Sequence, residues 1–437
     1  MTSDEPVPAV ARPVSPRHGL VLPVMVFLLC LLVPLVFAPW RSQVFAPVKI
    51  QLLLAIVGAG MLAAALLTSL GAAPRVRFLP WADGAALAYG LTNVLAFAGS
   101  ADRTASWRGE FPEYQGLLTV LAYLAAYGLA RLAFAPAVDG RSRSMVPLFC
   151  AMTVTTGLVG GYAVMQRLGL DPLWGFAERP FATVGQANSM AALLVVGLPG
   201  VLAAYAACGR RSRVLVVVAG LLGMAAALMS LSRGGWLALL AAGSVALALS
   251  RPHLRRRTLL LGAVIVIALG ALAASVPAGR DAVDRAAARV AAATDTKAVS
   301  TAKHLALARI GVGIALDHPW LGIGQDVFPE FAQQFADQHL PRTEADLLRP
   351  RRSESPHNAL LSIADAAGIP ALLAYLAFLG VVVRRALHAQ RSADNRALPV
   401  VMIIIGYVVS SLFMTPEVSS TVTFWVVAGS ACSALGA

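Results

Sequence analysis

Four places in the chain hold basic or amide side chains beside long apolar runs, and two of them carry residues suited to catalysis. Ser232-Arg233-Gly234-Gly235 separates two apolar runs, and Pro356-His357-Asn358 opens another. A histidine titrates near neutral pH and can act as a general base, and an arginine can bind an anion. Taken singly, each also fits a structural role, such as an arginine that extends to lipid headgroups or a residue that begins a helix.

The third place is the stretch from Arg179 to Asn188, which leads into an apolar run. Gln186 and Asn188 stand where a helix is expected to begin. They are therefore candidates either for helix caps or for hydrogen bonds to the hydroxyls of a sugar. The residue types are equally consistent with both interpretations.

The fourth place runs from Lys303 and His304 through Arg309 to Asp317-His-Pro-Trp-Leu-Gly322-Ile-Gly324. Its glycine pair follows no predicted strand and opens no βαβ unit, which argues against a dinucleotide-binding loop. The residues from Pro319 to Gly324 are therefore predicted to form a turn.

The composition of the chain indicates that much of its surface faces the apolar interior of a membrane. Of its 437 residues, 58% are hydrophobic and 13% are charged, whereas soluble domains have about a quarter of their residues charged. The basic residues behind the net charge of +13 are nearly all arginines in short clusters between apolar runs, so no nucleic-acid partner is predicted. The four cysteines lack CxxC spacing, so neither a disulfide framework nor a zinc site is indicated.

The apolar runs predict an all-α, polytopic transmembrane bundle of about twelve helices, because a bilayer core needs roughly 20 apolar residues per helix. Residues 1–18 are predicted to be a disordered cytoplasmic tail. The first run lacks the small-residue cleavage site of a signal peptide, so it is expected to remain as a helix. The two runs that meet at Arg233 are together too long for one span and predict a tight hairpin. The predicted spans are 19–39, 47–70, 80–99, 113–135, 145–166, 188–208, 213–231, 234–250, 258–277, 357–383, 398–415 and 418–436.

The arginine clusters give the predicted orientation. Clusters such as 210–213 and 255–257 fall on one side of the bundle, and basic loops face the cytoplasm. Both termini are then cytoplasmic, with nine helices in 19–277 and three in 357–437.

The interruption at 278–356 is predicted to be a partly helical cap on the opposite, non-cytoplasmic side. Residues 280–316 show helical spacing, and Val327 to Phe335 is a second, Phe-rich helical stretch. Its acidic and basic residues balance. Long loops with their own secondary structure are usually functional.

All four places fall on the side of the predicted cap. Arg179, Arg233, Lys303, Arg309 and His357 would then surround an anion with two or three charges, because arginine forks match phosphate oxygens. That face holds no DxD or other paired carboxylates, so no metal site and no cofactor are predicted. Basic side chains of the protein are expected to stabilise the negative charge of the anion in place of a metal ion.

Three of these motifs, in this order, resemble those of the bacterial O-antigen ligase and O-antigen polymerase superfamily. They are Ser232-Arg233-Gly234, the turn from His318 to Gly324, and His357-Asn358-x-x-Leu361 followed by Asp365-x-x-Gly368. The resemblance covers residues from about 179 to 380, and the helix number and the long outer loop agree with it.

The resemblance implies a membrane glycosyltransferase of the GT-C type, closest to the O-antigen ligases, in the bacterial inner membrane. Such an enzyme moves a glycan from undecaprenyl pyrophosphate, with inversion, to the lipid A-core acceptor on the periplasmic side, with membrane lipid around it. The family has an arginine upstream of the turn, where Lys303 or His304 stands here. The expected catalytic residues are His357 and Arg233; the diphosphate would contact Arg179, Arg233, Lys303 and Arg309; the acceptor or sugar would contact Gln186, Asn188 and Asn358.

Other functions fit the same predicted fold. An O-antigen polymerase or a protein O-oligosaccharyltransferase would use the same lipid-linked donor, although the single long outer loop favours a ligase. A transporter or flippase is expected to show internal repeats and charges at the midplane, which this sequence lacks, and a purely structural membrane protein is the remaining interpretation. Convergence of the basic residues at the outer face favours transfer, whereas a charged path through the bundle favours transport.

Overall fold

The structure of the protein, a computed structural model, describes residues 20–74, 76–136, 143–250, 299–342, 355–392, 394 and 396–435. Within these ranges the chain forms helices and no strands, which confirms the all-α class. The predicted tail at 1–18 and the predicted span at 258–277 lie outside the described residues. The helices are α1 (Val21–Leu35), α2 (Ala46–Ser69), α3 (Pro80–Gly99), α4 (Arg103–Arg108), α5 (Leu117–Ala133), α6 (Val146–Arg167), α7 (Ala187–Ala207), α8 (Arg210–Met229), α9 (Arg233–Leu249), α10 (Val299–Asp317), α11 (Phe328–His339), α12 (Ala359–Arg391), α13 (Ala397–Ser411) and α14 (Val418–Ala434).

Five helices of the described chain are long and apolar enough to cross a membrane, namely α2, α6, α7, α8 and α12. Helices α1, α5, α9, α13 and α14 are apolar but shorter. Large apolar side chains such as Leu62, Leu215 and Leu240 are exposed on these helices, as expected where the surface faces lipid. The helices therefore indicate a multi-pass membrane protein, while the predicted number of about twelve spans is not confirmed.

Helix α14 lies at the centre of the bundle, and every residue from Val418 to Ala434 is buried. It contacts α1, α5, α12 and α13. A side chain on Gly429 would collide with the backbone of Tyr127 in α5, so the two helices approach closely. Small residues at such contacts are typical of helix packing in membranes.

The chain breaks between α8 and α9 at Arg233, as predicted, but the two helices do not pack along each other. Helix α8 packs against α6 and α7, whereas α9 packs mainly against α13. Gly234 lies against Phe413, and Gly235 lies against Ala191 of α7. The prediction of a tight hairpin is therefore wrong beyond the turn, because the two glycines allow α9 to pack closely against other helices.

The predicted turn at Pro319–Gly324 is present, and it is hydrogen-bonded to a kink in α12. The kink lies at Gly368, where φ is +81°. The Ile323 N–H donates to the Asp365 carbonyl at 2.8 Å, and the Ile369 N–H donates to the Pro319 carbonyl at 2.8 Å. This turn–kink interface holds α10, which belongs to the predicted cap, beside α12. Two motifs that are distant in sequence therefore form one structural unit.

We expect Gly368→Ala to weaken the turn–kink interface. An alanine is strained at this positive φ, and its Cβ would collide with the Trp320 carbonyl, at a cost of about 1–3 kcal/mol. Thermal unfolding of the purified protein in detergent should show a lower Tm. Gly380→Ala is the control on the same helix, because no atom lies within 4 Å of the added Cβ, and its Tm should be unchanged or slightly higher. Equal Tm values for the two variants would contradict this role of Gly368.

Candidate functional site

The turn between α8 and α9 positions Arg233. The helix begins at this residue because the Ser232 side chain caps it, accepting a hydrogen bond from the Gly235 N–H at 3.2 Å. The Ser232 N–H in turn donates to Ser230 Oγ at 3.2 Å. The half-buried Arg233 therefore stands at the positive end of a helix, where an anion is stabilised.

Arg179 connects the loop before α7 to the same turn. Its Nε donates to the Ser230 carbonyl at 2.9 Å, and its Nη2 donates to Asn188 Oδ1 at 2.7 Å. Asn188 therefore orients an arginine. Gln186 is exposed, and its Oε1 accepts a hydrogen bond from Ser189 Oγ at 2.8 Å. The structure thus brings Arg179 to the turn that carries Arg233.

His357 precedes α12 in a left-handed backbone conformation, with φ at +51°. Non-glycine residues rarely adopt this conformation, and they do so often at functional sites. Asn358 caps the helix, its Oδ1 accepting from the Leu360 N–H at 2.9 Å. His357 Nδ1 lies 3.5 Å from Thr415 Oγ1, and the His357 N–H donates to Ser355 Oγ at 3.2 Å. The backbone and the ring of His357 are therefore both held in place.

Helix α10 of the cap brings further basic residues to His357. The rings of His304 and His357 lie 5.1 Å apart between centroids, at an interplanar angle of 69°. The charge of the half-buried Lys303 acts on both imidazoles. Arg309 is exposed, about 120° around the helix from Lys303. The structure therefore brings Lys303 and His304, rather than Arg309, to His357.

Partial desolvation and neighbouring positive charge disfavour the protonated form of both imidazoles. Desolvation, together with His304 and Lys303, lowers the pKa of His357 from 6.5 to about 4. Desolvation, together with Arg233 and Lys303, also lowers the pKa of His304. A neutral imidazole can accept a proton, so His357 is available as a base at neutral pH.

These side chains form one group, called the basic cluster below: Arg179, Arg233, Lys303, His304 and His357. Among the described residues, no carboxylate forms an ion pair with Arg233 or Lys303. Opposite charge stabilises buried cations, so the arrangement is suited to bind a polyanion and to move a proton beside it.

Ser355 and Thr415 are site residues that sequence reasoning missed. Their hydroxyls are hydrogen-bonded to each other, and both contact His357. Thr415 belongs to Thr415-Pro416-Glu417, the polar break between the last two apolar runs. That break lies on the predicted outer side, which is the signal that could have identified Thr415.

The fold and the site together define a class: a multi-pass helical bundle with a basic, histidine-bearing site between the bundle and a cap helix. The family model described as O-antigen ligase matches residues 215–376. This match confirms the predicted resemblance to the O-antigen ligase and polymerase superfamily, and it supports a glycosyltransferase-like activity of that general type. Among curated proteins, no match to the chain was found.

We expect Lys303→Gln to raise the pKa of His357 from about 4 toward 6.5, because it removes a positive charge that disfavours the imidazolium. NMR titration of isotopically labelled histidines in nanodiscs measures this pKa, with His357 assigned from the spectrum of His357→Gln. Arg309→Gln removes the same charge from another face of α10 and should leave the pKa unchanged. A change in the pKa of His357 in Arg309→Gln but not in Lys303→Gln would contradict the position of Lys303 beside His357.

Proposed function

We propose that the protein transfers O-antigen polysaccharide from undecaprenyl pyrophosphate to the lipid A-core acceptor on the periplasmic side of the bacterial inner membrane. The transfer uses no metal and inverts the anomeric carbon. The observation that carries this proposal is the basic cluster, in which half-buried cations lie beside a neutral imidazole. The O-antigen ligase match over residues 215–376 supports the class of reaction.

In this proposal Arg179, Arg233 and Lys303 bind the diphosphate of the donor. Guanidinium forks match phosphate oxygens bidentately, and a lysine adds a point charge. The cations are partly buried, so salt screens their attraction less than at an open surface. When the bond from the anomeric carbon to the diphosphate breaks, negative charge grows on the leaving oxygen, and preoriented cations stabilise it. Arg309, on another face of α10, contributes only long-range attraction.

His357 takes the proton of the acceptor hydroxyl. Its pKa of about 4 keeps the imidazole neutral but makes it a weak base in the free protein. A bound diphosphate brings negative charge beside the ring, which raises the pKa. The base therefore becomes stronger when the donor is in place, and proton transfer is coupled to donor binding.

The amide residues expected at the sugar have different parts in this proposal. Asn188 orients Arg179, since its Oδ1 accepts from that guanidinium. Asn358 fixes the start of α12 beside His357 through its capping bond. Gln186 is exposed near Arg179 in the same loop, and it remains the candidate for a direct contact with a sugar hydroxyl.

The position of the charged groups favours transfer over transport. The basic cluster lies where loops of the predicted outer side meet. The buried ion pair in the described residues, Arg131 Nη2 to Asp83 Oδ2 at 3.3 Å, lies at the predicted inner ends of α3 and α5. A transporter is expected to hold such groups at the midplane, beside its substrate.

We expect His357→Ala to lower the transfer rate by about 10²- to 10⁴-fold, the usual contribution of a general base, while donor binding is retained because the cations remain. The assay uses purified protein, an undecaprenyl-pyrophosphate-linked glycan and purified lipid A-core. His388→Ala is the control, because this exposed histidine lies near the opposite end of α12. Near-full transfer by His357→Ala would exclude the histidine as the base.

Deletion of the gene distinguishes ligase from polymerase activity. We expect lipid A-core without long chains, together with accumulated lipid-linked polymer, on lipopolysaccharide gels. Wild-type protein should restore the long chains, and His357→Ala should not. A polymerase would instead leave lipid A-core that carries single repeats, and a protein-directed transferase would leave lipopolysaccharide intact; either pattern contradicts the ligase proposal.

A further inference from the structure

A second polar site lies beside the basic cluster, in a cavity between α3, α5, α12 and α14. Its volume is about 90 Å³, and it is partly open to solvent. It is called the acidic cavity below, and the polar residues that line it include Asn93, Gln325, Asp326, Ser362 and Asp365. The proposed roles of the basic cluster involve none of these residues.

Three buried polar atoms of this lining have no hydrogen-bond partner among the described residues: Gln325 Oε1, Ser362 Oγ and Asp365 Oδ2. Gln325 and Asp365 are each only 2% exposed. Buried polar groups are nearly always hydrogen-bonded, so three in one cavity mark it as a candidate site for a polar ligand. Gln325 Oε1 can only accept, whereas a hydroxyl can donate or accept and a carboxyl can accept or, when protonated, donate. A ligand that both donates and accepts hydrogen bonds therefore satisfies this lining.

The amide of Gln325 is oriented by the protein. Its Nε2 donates to the backbone carbonyl of Asn93 at 3.0 Å and to Asn93 Oδ1 at 3.1 Å. These two bonds occupy both amide hydrogens and leave the Oε1 atom to accept. The cavity is thus prepared for a donor before any ligand arrives.

The lining of the cavity disfavours a phosphate. It includes the carboxyl groups of Asp326 and Asp365 and, among the described residues, no lysine, arginine or histidine. Among the described residues, no group of three His, Cys, Asp or Glu side chains is placed to hold a metal ion. Hydroxyl groups, which donate hydrogen bonds without carrying charge, satisfy this lining better than an anion.

The remaining wall of the cavity is aromatic. It contains Tyr89, Tyr375, Tyr407 and Trp425, and the rings of Tyr89 and Trp425 are stacked 6.1 Å apart. Binding sites typically combine an apolar wall with a few oriented polar groups. A sugar has the matching surface, because its ring presents apolar C–H groups on its faces and hydroxyls around its edge.

His357 is adjacent both to residues of the acidic cavity and to the basic cluster. Ser355 and Thr415, the two hydroxyl residues that contact His357, also line the cavity. In an inverting displacement the nucleophile attacks from the side opposite the leaving group. If the diphosphate lies on the cations, the attacking hydroxyl must approach from the cavity.

We propose that the acidic cavity binds the acceptor sugar, an uncharged residue whose hydroxyls donate to Asp365, Gln325 and Ser362. This proposal rests on the proposed transferase function. The attacking hydroxyl gives its proton to the His357 imidazole, and its oxygen forms a bond to the anomeric carbon of the donor. The bond from that carbon to the diphosphate oxygen breaks, and the electron pair leaves with the diphosphate. The acidic side of His357 thus selects the acceptor, and the basic side selects the donor.

The test compares acceptor and donor kinetics in Asp365→Asn and Ser362→Ala, which preserve shape. We expect the KM for lipid A-core to rise about 2- to 10-fold in each variant, the usual effect of losing a neutral hydrogen bond to a buried carboxyl or hydroxyl group. The KM for the lipid-linked donor should not change. Ser430→Ala is the control, since its buried hydroxyl donates to the Val426 carbonyl at 2.8 Å within α14, away from the cavity, and both KM values should be unchanged.

Direct binding separates failure of the cavity from failure of the transferase. The probe is labelled, dephosphorylated core oligosaccharide, which should bind wild-type protein and bind Asp365→Asn more weakly by the same factor. If wild-type protein binds the probe but transfers no glycan, the proposed function fails and the sugar site stands. A rise in donor KM alone would assign the cavity to the donor glycan. If both variants keep the wild-type KM values, probe binding and Tm, the cavity is filled by water. This result, or a rise in donor KM alone, overturns the proposal.

Discussion

Positive charge that is held partly away from water, with no ion-paired carboxylate among the described residues, is the constraint on which this site depends. Half-buried Arg233 and Lys303 form no ion pair among the described residues, and their repulsion contributes to the neutral state of the nearby imidazoles. Such an arrangement is stable only if rigid surroundings prevent the cations from turning into solvent. Three features supply that rigidity: the hydrogen bond by which Ser232 caps α9, the hydrogen bond of Arg179 to the Ser230 carbonyl, and the turn–kink interface.

The two sides of His357 differ in electrostatic character, one basic and the other acidic. The basic cluster offers cations on one side, and the acidic cavity offers carboxyl groups and, among the described residues, polar atoms without a hydrogen-bond partner on the other. A substrate that carries phosphate is attracted to the first side and repelled by the second. The proposed donor and acceptor are therefore distinguished by charge before any sugar is recognised in detail.

The sequence predicted those features that depend on local pattern. Apolar runs identified the helices, and the order of Arg233, the Pro319–Gly324 turn and His357 identified the superfamily. The bonds between the turn and Gly368 were not predictable, because backbone contacts between distant segments have no side-chain signature. Which of Lys303 and Arg309 faces His357 depends on the rotation of α10 about its axis. That rotation could not be predicted, because it changes with the residue at which the helix begins. The pairing of Gln325 with Asn93 was missed because it joins the cap to α3.

The burial of α14 has a consequence for biosynthesis. This helix follows every other described helix in sequence, yet all of its residues from Val418 to Ala434 are enclosed by neighbours that the ribosome makes earlier. The groove that receives it must stay open in the bilayer until translation has passed α13. Thr415 lies just before α14, and its Oγ1 is 3.5 Å from His357 Nδ1. The contact of Thr415 with His357 therefore forms only after the ribosome has made all the helices from α1 to α13.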